Sequence, residues 1–124
     1  SKILKVREFK VSSEITINVS SGKWSIRAGG AVLGETTKDL ALYESDSKPV
    51  LYFPKKDLAM AFFEKTKHET TCPNKGTTGY YSIVTKSQTL ENIAWKFIDP
   101  RPEVMDLLYY ISFFSTSAIT IERL

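Results

Sequence analysis

Cysteine and histidine are almost absent: each occurs once in 124 residues, as Cys72 and His68. A single cysteine excludes an internal disulfide and any zinc site built from several thiolates. A strong excess of one charge is also missing. The 17 Lys and Arg against 14 Asp and Glu leave +3, spread along the chain, which suits solubility rather than a nucleic-acid surface. There is no arginine-rich run and no aromatic RNA-reading motif, so no nucleic-acid partner is expected. Long apolar runs are lacking too. Residues 104–114 are the most apolar late stretch, but Asp106 interrupts them and they are too short to span a bilayer. The start, Ser1-Lys2-Ile3-Leu4-Lys5, has no apolar core of signal-peptide length, so a cytoplasmic, membrane-free setting is expected.

What is present is strand-forming sequence. Apolar residues make up 42% of the chain and charged residues 25%, the balance of one soluble globular domain with a real core. Residues 1–20 read as an N-terminal extension or edge strand, and residues 21–124 as a single β domain. Ile15, Ile17 and Val19 alternate with polar residues, Ser20-Ser21-Gly22-Lys23 turns, and Trp24, Ile26 and Ala28 alternate again, which predicts a β-hairpin. Gly29-Gly30 is a second turn, with Ala31-Val32-Leu33-Gly34 returning. In the short strand over 39–45, Leu40, Leu42 and Glu44 share one face. Glu44 then follows a core-facing row, where a carboxylate needs a partner, a cavity or water; the plainer alternative ends the strand before it.

Pro49-Val50-Leu51-Tyr52-Phe53-Pro54 is apolar on both faces and predicts a strand covered on both sides. Pro54-Lys55-Lys56-Asp57 predicts one helical or 3-10 turn, and residues 58–64 read as strand. Residues 80–84 and 90–97 should pair as an aromatic hairpin, with Glu91, Ile93, Trp95 and Phe97 on one face. Val104, Leu107, Leu108 and Ile111 sit at i, i+3, i+4 and i+7, so a helix is expected from Glu103, although 109–114 also suits a strand. Residues 119–122 read as the last strand. The total is about seven to nine short strands and one short helix at most. That composition fits a mainly β domain, built as a barrel or two packed antiparallel sheets.

The chemistry concentrates in His68-Glu69-Thr70-Thr71-Cys72-Pro73-Asn74-Lys75-Gly76-Thr77-Thr78-Gly79-Tyr80-Tyr81. Pro73 and Gly76 mark a tight turn that holds Lys75 in place. On an extended strand His68 and Cys72 share a face but lie about 13 Å apart, too far for a direct couple. Cys72 is a nucleophile if His68 or Lys75 activates it, and otherwise a small buried hydrophobe. Metal binding would need His68 with Glu44, Glu69 or Glu91, and no ligand spacing supports it. Tyr52, Tyr80, Tyr81, Trp95 and Phe97 line a small-molecule pocket or simply pack the core. No phosphate-binding or dinucleotide fingerprint is present.

The string His68-x-Thr70-x-Cys72-Pro73-x-Lys75-Gly76-x-x-x-Tyr80 resembles the core motif of domain-of-unknown-function family 427. Further pieces agree in order: the run from Gly30 to Glu44, Pro49-Val50-Leu51-Tyr52-Phe53-Pro54-Lys55-Lys56-Asp57, Ala94-Trp95-Lys96-Phe97-x-Asp99-Pro100 and Ile111-Ser112-Phe113-Phe114. The likeness runs from about Trp24 to the C-terminus. Tyr81 stands where the family often has Trp, and Phe97 where it has Tyr. The resemblance implies a β-tent-like fold, similar to the Yippee proteins and the thalidomide-binding domain of cereblon, with a ligand cleft between two sheets. Such relatives commonly carry a structural zinc; with one cysteine, none is expected here. The resemblance implies a cleft made by Glu44, Tyr52, His68, Cys72, Lys75, Tyr80 and Trp95.

Three functions fit. The first is a module that binds a small polar or aromatic ligand, with Tyr52, Tyr80 and Trp95 packing it and Glu44 and Lys75 holding its polar ends. The second is an enzyme using Cys72, or an acid–base set of Glu44, His68 and Lys75. The third is a protein-interaction domain using a sheet edge or the cleft.

Overall fold

A computed structural model describes residues 14–124. Ten strands follow one another: β1 (Ile15–Val19), β2 (Trp24–Ala28), β3 (Ala31–Thr36), β4 (Leu40–Glu44), β5 (Val50–Pro54), β6 (Phe63–Cys72), β7 (Gly76–Val84), β8 (Thr89–Pro100), β9 (Tyr110–Phe113) and β10 (Ile119–Arg123). Every pairing is antiparallel, in two sheets. Seven strands run in the order β1-β4-β5-β9-β8-β7-β6, and three in the order β10-β2-β3. The mainly β expectation holds as two open sheets; neither closes into a barrel. Among the described residues no helix is long and apolar enough to cross a membrane. The expected lead-in over residues 1–12 lies outside the described residues.

The large sheet has a core on each face. On one face Phe53, Ile83, Ala94, Ile111 and Phe113 meet Ile26, Ala28, Leu33 and Ile119 of the small sheet. On the other, Leu42, Tyr52 and Phe97 pack with Val104 and Leu107. Strand parity makes both from the same segments: Tyr52 and Phe53 are neighbours on β5 and point to opposite cores. This is why the sequence from Val50 to Pro54 is apolar on both faces. Leu58 ties the sheets together through a bridge to Gly34, reinforced by the Ala59 amide donating to the Leu33 carbonyl at 2.7 Å.

Four expectations fail. The hairpin over 15–28 does not form: β1 pairs with β4, Ile17 opposite Leu42, while β2 pairs with β3 and β10. Alternation identifies a strand but not its partner, and the Ser20–Lys23 turn is a crossover between sheets. Residues 58–64 are mostly not strand, because Met60–Phe62 form a 3-10 turn before β6 begins. The helix from Glu103 is a six-residue 3-10 segment, Pro102–Leu107, broken at Val104 (φ −122°, ψ 18°). Its periodic residues still serve packing, since Val104 and Leu107 are fully buried. Finally, β8 does not alternate simply. Asn92 takes φ 50° at a bulge, so Ile93 packs toward the first core while Phe97 belongs to the second. The 3-10 turn at Lys55–Asp57 and strands β9 and β10 are where they were expected.

Candidate functional site

The site starts with a distance that a flat sheet does not allow. Lys75 Nζ lies 2.6 Å from Glu44 Oε1. Glu44 ends β4, and Lys75 sits in the turn between β6 and β7. Strands β5, β9 and β8 separate β4 from β7 in the sheet. Four strand spacings make about 19 Å in a flat sheet. The contact therefore requires the large sheet to curl, and the ion pair spans the hollow of the curl. Both side chains are about one-fifth exposed (21% and 23%), so water screens the pair only in part. Glu44 does continue the row of Leu40 and Leu42, and Lys75 is its partner.

The turn geometry explains the placement of Lys75. Its amide donates to the Cys72 carbonyl at 3.2 Å, and its carbonyl accepts from the Arg101 amide at 2.9 Å. Gly76 follows with φ 108°, a left-handed conformation that L side chains avoid. A Cβ there would strike the Asp99 carbonyl oxygen. The turn is thus pressed against the end of β8, which aims the lysine.

Beneath the pair lies an aromatic row. Tyr52 is buried, stacks on Phe97 at 5.9 Å between ring centroids, and meets the edge of Trp95 at 6.3 Å. Burial pushes its phenol up to about 12, with a polar contact from Trp95 opposing the rise and the nearby charge of Glu44 adding to it. Trp95 touches Phe114 at 4.7 Å, Phe114 stacks on Tyr80 at 6.2 Å, and Tyr80 meets His68 at 4.5 Å. Tyr80 is opposite Trp95 in the β7–β8 register, and Trp95 is opposite Ser112. The Tyr80 hydroxyl lies 3.0 Å from the Thr70 hydroxyl, which lies 2.7 Å from that of Thr78. The row runs from exposed His68 to buried Phe97. Near its middle opens a cavity of about 490 Å³, lined by Trp95, Phe114, Ser112, Val50 and Trp24 among others. The buried indole N–H of Trp24 has no acceptor among the described residues.

The structure joins Glu44 with Lys75, Tyr52 with Trp95, and His68 with Tyr80. The Cys72 thiol makes no hydrogen bond to any of them among the described residues, although its carbonyl holds the Lys75 turn. Cys72 lines a separate cavity of about 420 Å³ with Pro73, Asp99, Arg101 and Pro102 at the sheet end. Tyr81 faces away from the row, against Phe63 in the first core. Phe114 is the residue that sequence reasoning missed. It stands just past β9, and the doubled Phe113-Phe114 at a strand end was the available signal, since one of two neighbouring aromatics must face each way. No group of three or more His, Cys, Asp or Glu placed to hold a metal occurs among the described residues.

Fold and site together define a small domain of two antiparallel sheets with a curled aromatic face. The model of a family described as a domain of unknown function (DUF427) matches residues 16–123, and the chain belongs to that family. No curated protein matches the chain.

Proposed function

We propose that the domain binds a small molecule on the hollow face of its large sheet, beside the Cys72-Pro73-Asn74-Lys75-Gly76 turn. One observation carries this reading: the half-buried Glu44–Lys75 pair spans a face paved with Tyr52, Trp95, Phe114 and Tyr80. Partly exposed aromatic rings offer stacking area at low entropic cost, and the cavity of about 490 Å³ at Trp95 and Phe114, next to the face rather than lined by the ion pair, is in the usual range for small-ligand sites. The ligand has a flat ring for Trp95 and a polar end for the ion pair. A zwitterion suits both charges, its carboxylate to Lys75 and its ammonium to Glu44, because each protein charge then keeps a partner. The free Trp24 N–H supplies one further donor.

The test uses the chain's own fluorophores. The unaltered chain keeps both indoles, Trp24 and Trp95, at the cavity. Titration with adenosine, adenosine monophosphate, phenylalanine and tyrosine reads their combined emission, and thermal unfolding reads stabilisation that grows with the logarithm of ligand concentration. At least one probe is expected to do both, and Glu44→Gln or Lys75→Met to weaken it about tenfold or more. Unchanged emission and unchanged melting across the panel overturn the reading.

A further inference from the structure

A second set of polar groups lies on the opposite face of β8. Trp95 and Phe97 contact Tyr52, so Lys96 between them points to the other side. Its partner across β7 is Gly79, which has no side chain to fill the space above it. Ile98 and Lys65 take up that space: a Cβ on Gly79 would lie 3.0 Å from Ile98 Cγ2 and 3.2 Å from Lys65 Nζ. The Lys65 ammonium thus lies over the residue opposite Lys96. Lys55 follows β5 directly, and its amide donates to the Tyr109 carbonyl at 2.9 Å beside β9, the strand that lies next to β8. Burial lowers the proton affinity of Lys96, and the charges of Lys55 and then Lys65 lower it further. Lys96 Nζ spends one donor on the Phe97 carbonyl at 2.9 Å and has two left. None of the ion pairs among the described residues involves Lys55, Lys65 or Lys96.

Glu69 stands opposite Gly79 on β6 but forms no ion pair with these lysines among the described residues; like charges gathered in this way repel one another, and an anion relieves that repulsion. Lys55 also lines a cavity of about 670 Å³ with Lys56, Leu58, Met60, Tyr109 and Tyr110. Its walls join two lysines to an apolar and aromatic lining. We infer that Lys55, Lys65 and Lys96 form a binding site for a phosphate monoester or similar dianion, whose apolar or aromatic substituent enters the neighbouring cavity. The lysines serve as point charges for the phosphate oxygens, and Leu58, Met60, Tyr109 and Tyr110 receive the substituent. This site is separate from the Glu44–Lys75 face, and neither depends on the other.

Amide NMR of the full chain tests it, with inorganic phosphate and phenyl phosphate as probes in a buffer free of other oxyanions. Saturable shifts are expected at Lys55, Gly79 and Phe97, with phenyl phosphate about tenfold tighter than phosphate. Lys65→Met and Lys96→Met should each weaken phenyl phosphate about tenfold. Lys75→Met and Lys23→Met should leave it unchanged. Lys65 is an exposed strand residue, so its variant stays folded even if the Lys96 change disturbs packing. Absence of saturable shifts overturns the site, as does unaltered affinity in Lys65→Met or loss of affinity in Lys75→Met. Equal affinity for the two probes overturns the role of the cavity.

Discussion

Asp39 has the least favourable surroundings of any charged residue described. It is wholly buried just before β4. Neither carboxylate oxygen has a hydrogen-bond partner among the described residues; burial raises the carboxyl above its ordinary value, and the nearby Ser20 hydroxyl, its own backbone amide and the charge of Arg123 offset this only in part. Between the unfolded value near 3.8 and the higher folded value, the folded chain binds more protons than the unfolded chain. Stability therefore falls as pH rises through that window. Asp39→Asn keeps the shape and removes the charge. It is expected to be more stable than the parent at pH 7 and to lose that advantage as pH falls to 4, read as urea midpoints at several pH values. The Glu44–Lys75 pair behaves in the opposite way: removing one partner strands a half-buried charge. Lys75→Met should cost about 1–2 kcal/mol, less than a fully buried pair because both groups touch water. A double-mutant cycle with Glu44→Gln should return a coupling near 1 kcal/mol. Additive single effects would show that the contact contributes nothing. At Tyr52 the readout is optical. Spectrophotometric titration should find a tyrosine that stays protonated past pH 11, and Tyr52→Phe should remove that late step; if the late step persists, another tyrosine is responsible.

At the scale of elements, the β6–β7 hairpin decides whether the site exists. Its turn holds Lys75, and Gly76 permits the turn's contact with β8. Gly76→Ala adds a Cβ against the Asp99 carbonyl at a backbone angle that alanine resists. The expected cost is about 2–4 kcal/mol in denaturant unfolding, accompanied by loss of the Lys75 contribution. A change below about 0.5 kcal/mol would mean that the turn relaxes freely. The turn was legible in the sequence because Pro73 and Gly76 are local signals, whereas the polar strand before it, Phe63–Cys72, carries no apolar alternation to announce it. Parity on β4 was legible for the same reason: Leu40, Leu42 and Glu44 are spaced by two, and nothing interrupts them. The hairpin over 15–28 was misread because the choice between β2 and β4 as the partner of β1 is made by the core. Val104 and Leu107 were read as a helical stripe because burial selects the same spacing in a 3-10 segment between prolines and a strand. The nearness of Glu44 to Lys75, 31 residues apart in sequence, depends on sheet curl, which no local pattern encodes.

For the whole molecule, the question is whether two cores on one sheet behave as one folding unit. The large sheet is shared: Phe53 and Tyr52 lie on adjacent positions of β5 and serve opposite cores. Loss of either core exposes one face of strands whose other face still needs them, so the cores should melt together. The two tryptophans report on them separately. Trp24 packs against the core between the sheets, and Trp95 lies against Tyr52 of the other core. Trp95→Phe leaves the first reporter and Trp24→Phe the second. After correction for any shift common to far-UV circular dichroism, each fluorescence transition should coincide with the loss of strand signal in the same variant. Phe53→Ala, wholly buried, should lower both midpoints, at a cost of about 3–5 kcal/mol. A Trp95 transition that precedes the Trp24 transition would show that the curled face opens while the two-sheet core stands. The Glu44–Lys75 contact would then be a latch with its own equilibrium, and Lys75→Met would move the Trp95 transition alone. Coincident transitions tie the site's stability to that of the fold, so any ligand held on that face stabilises the whole domain.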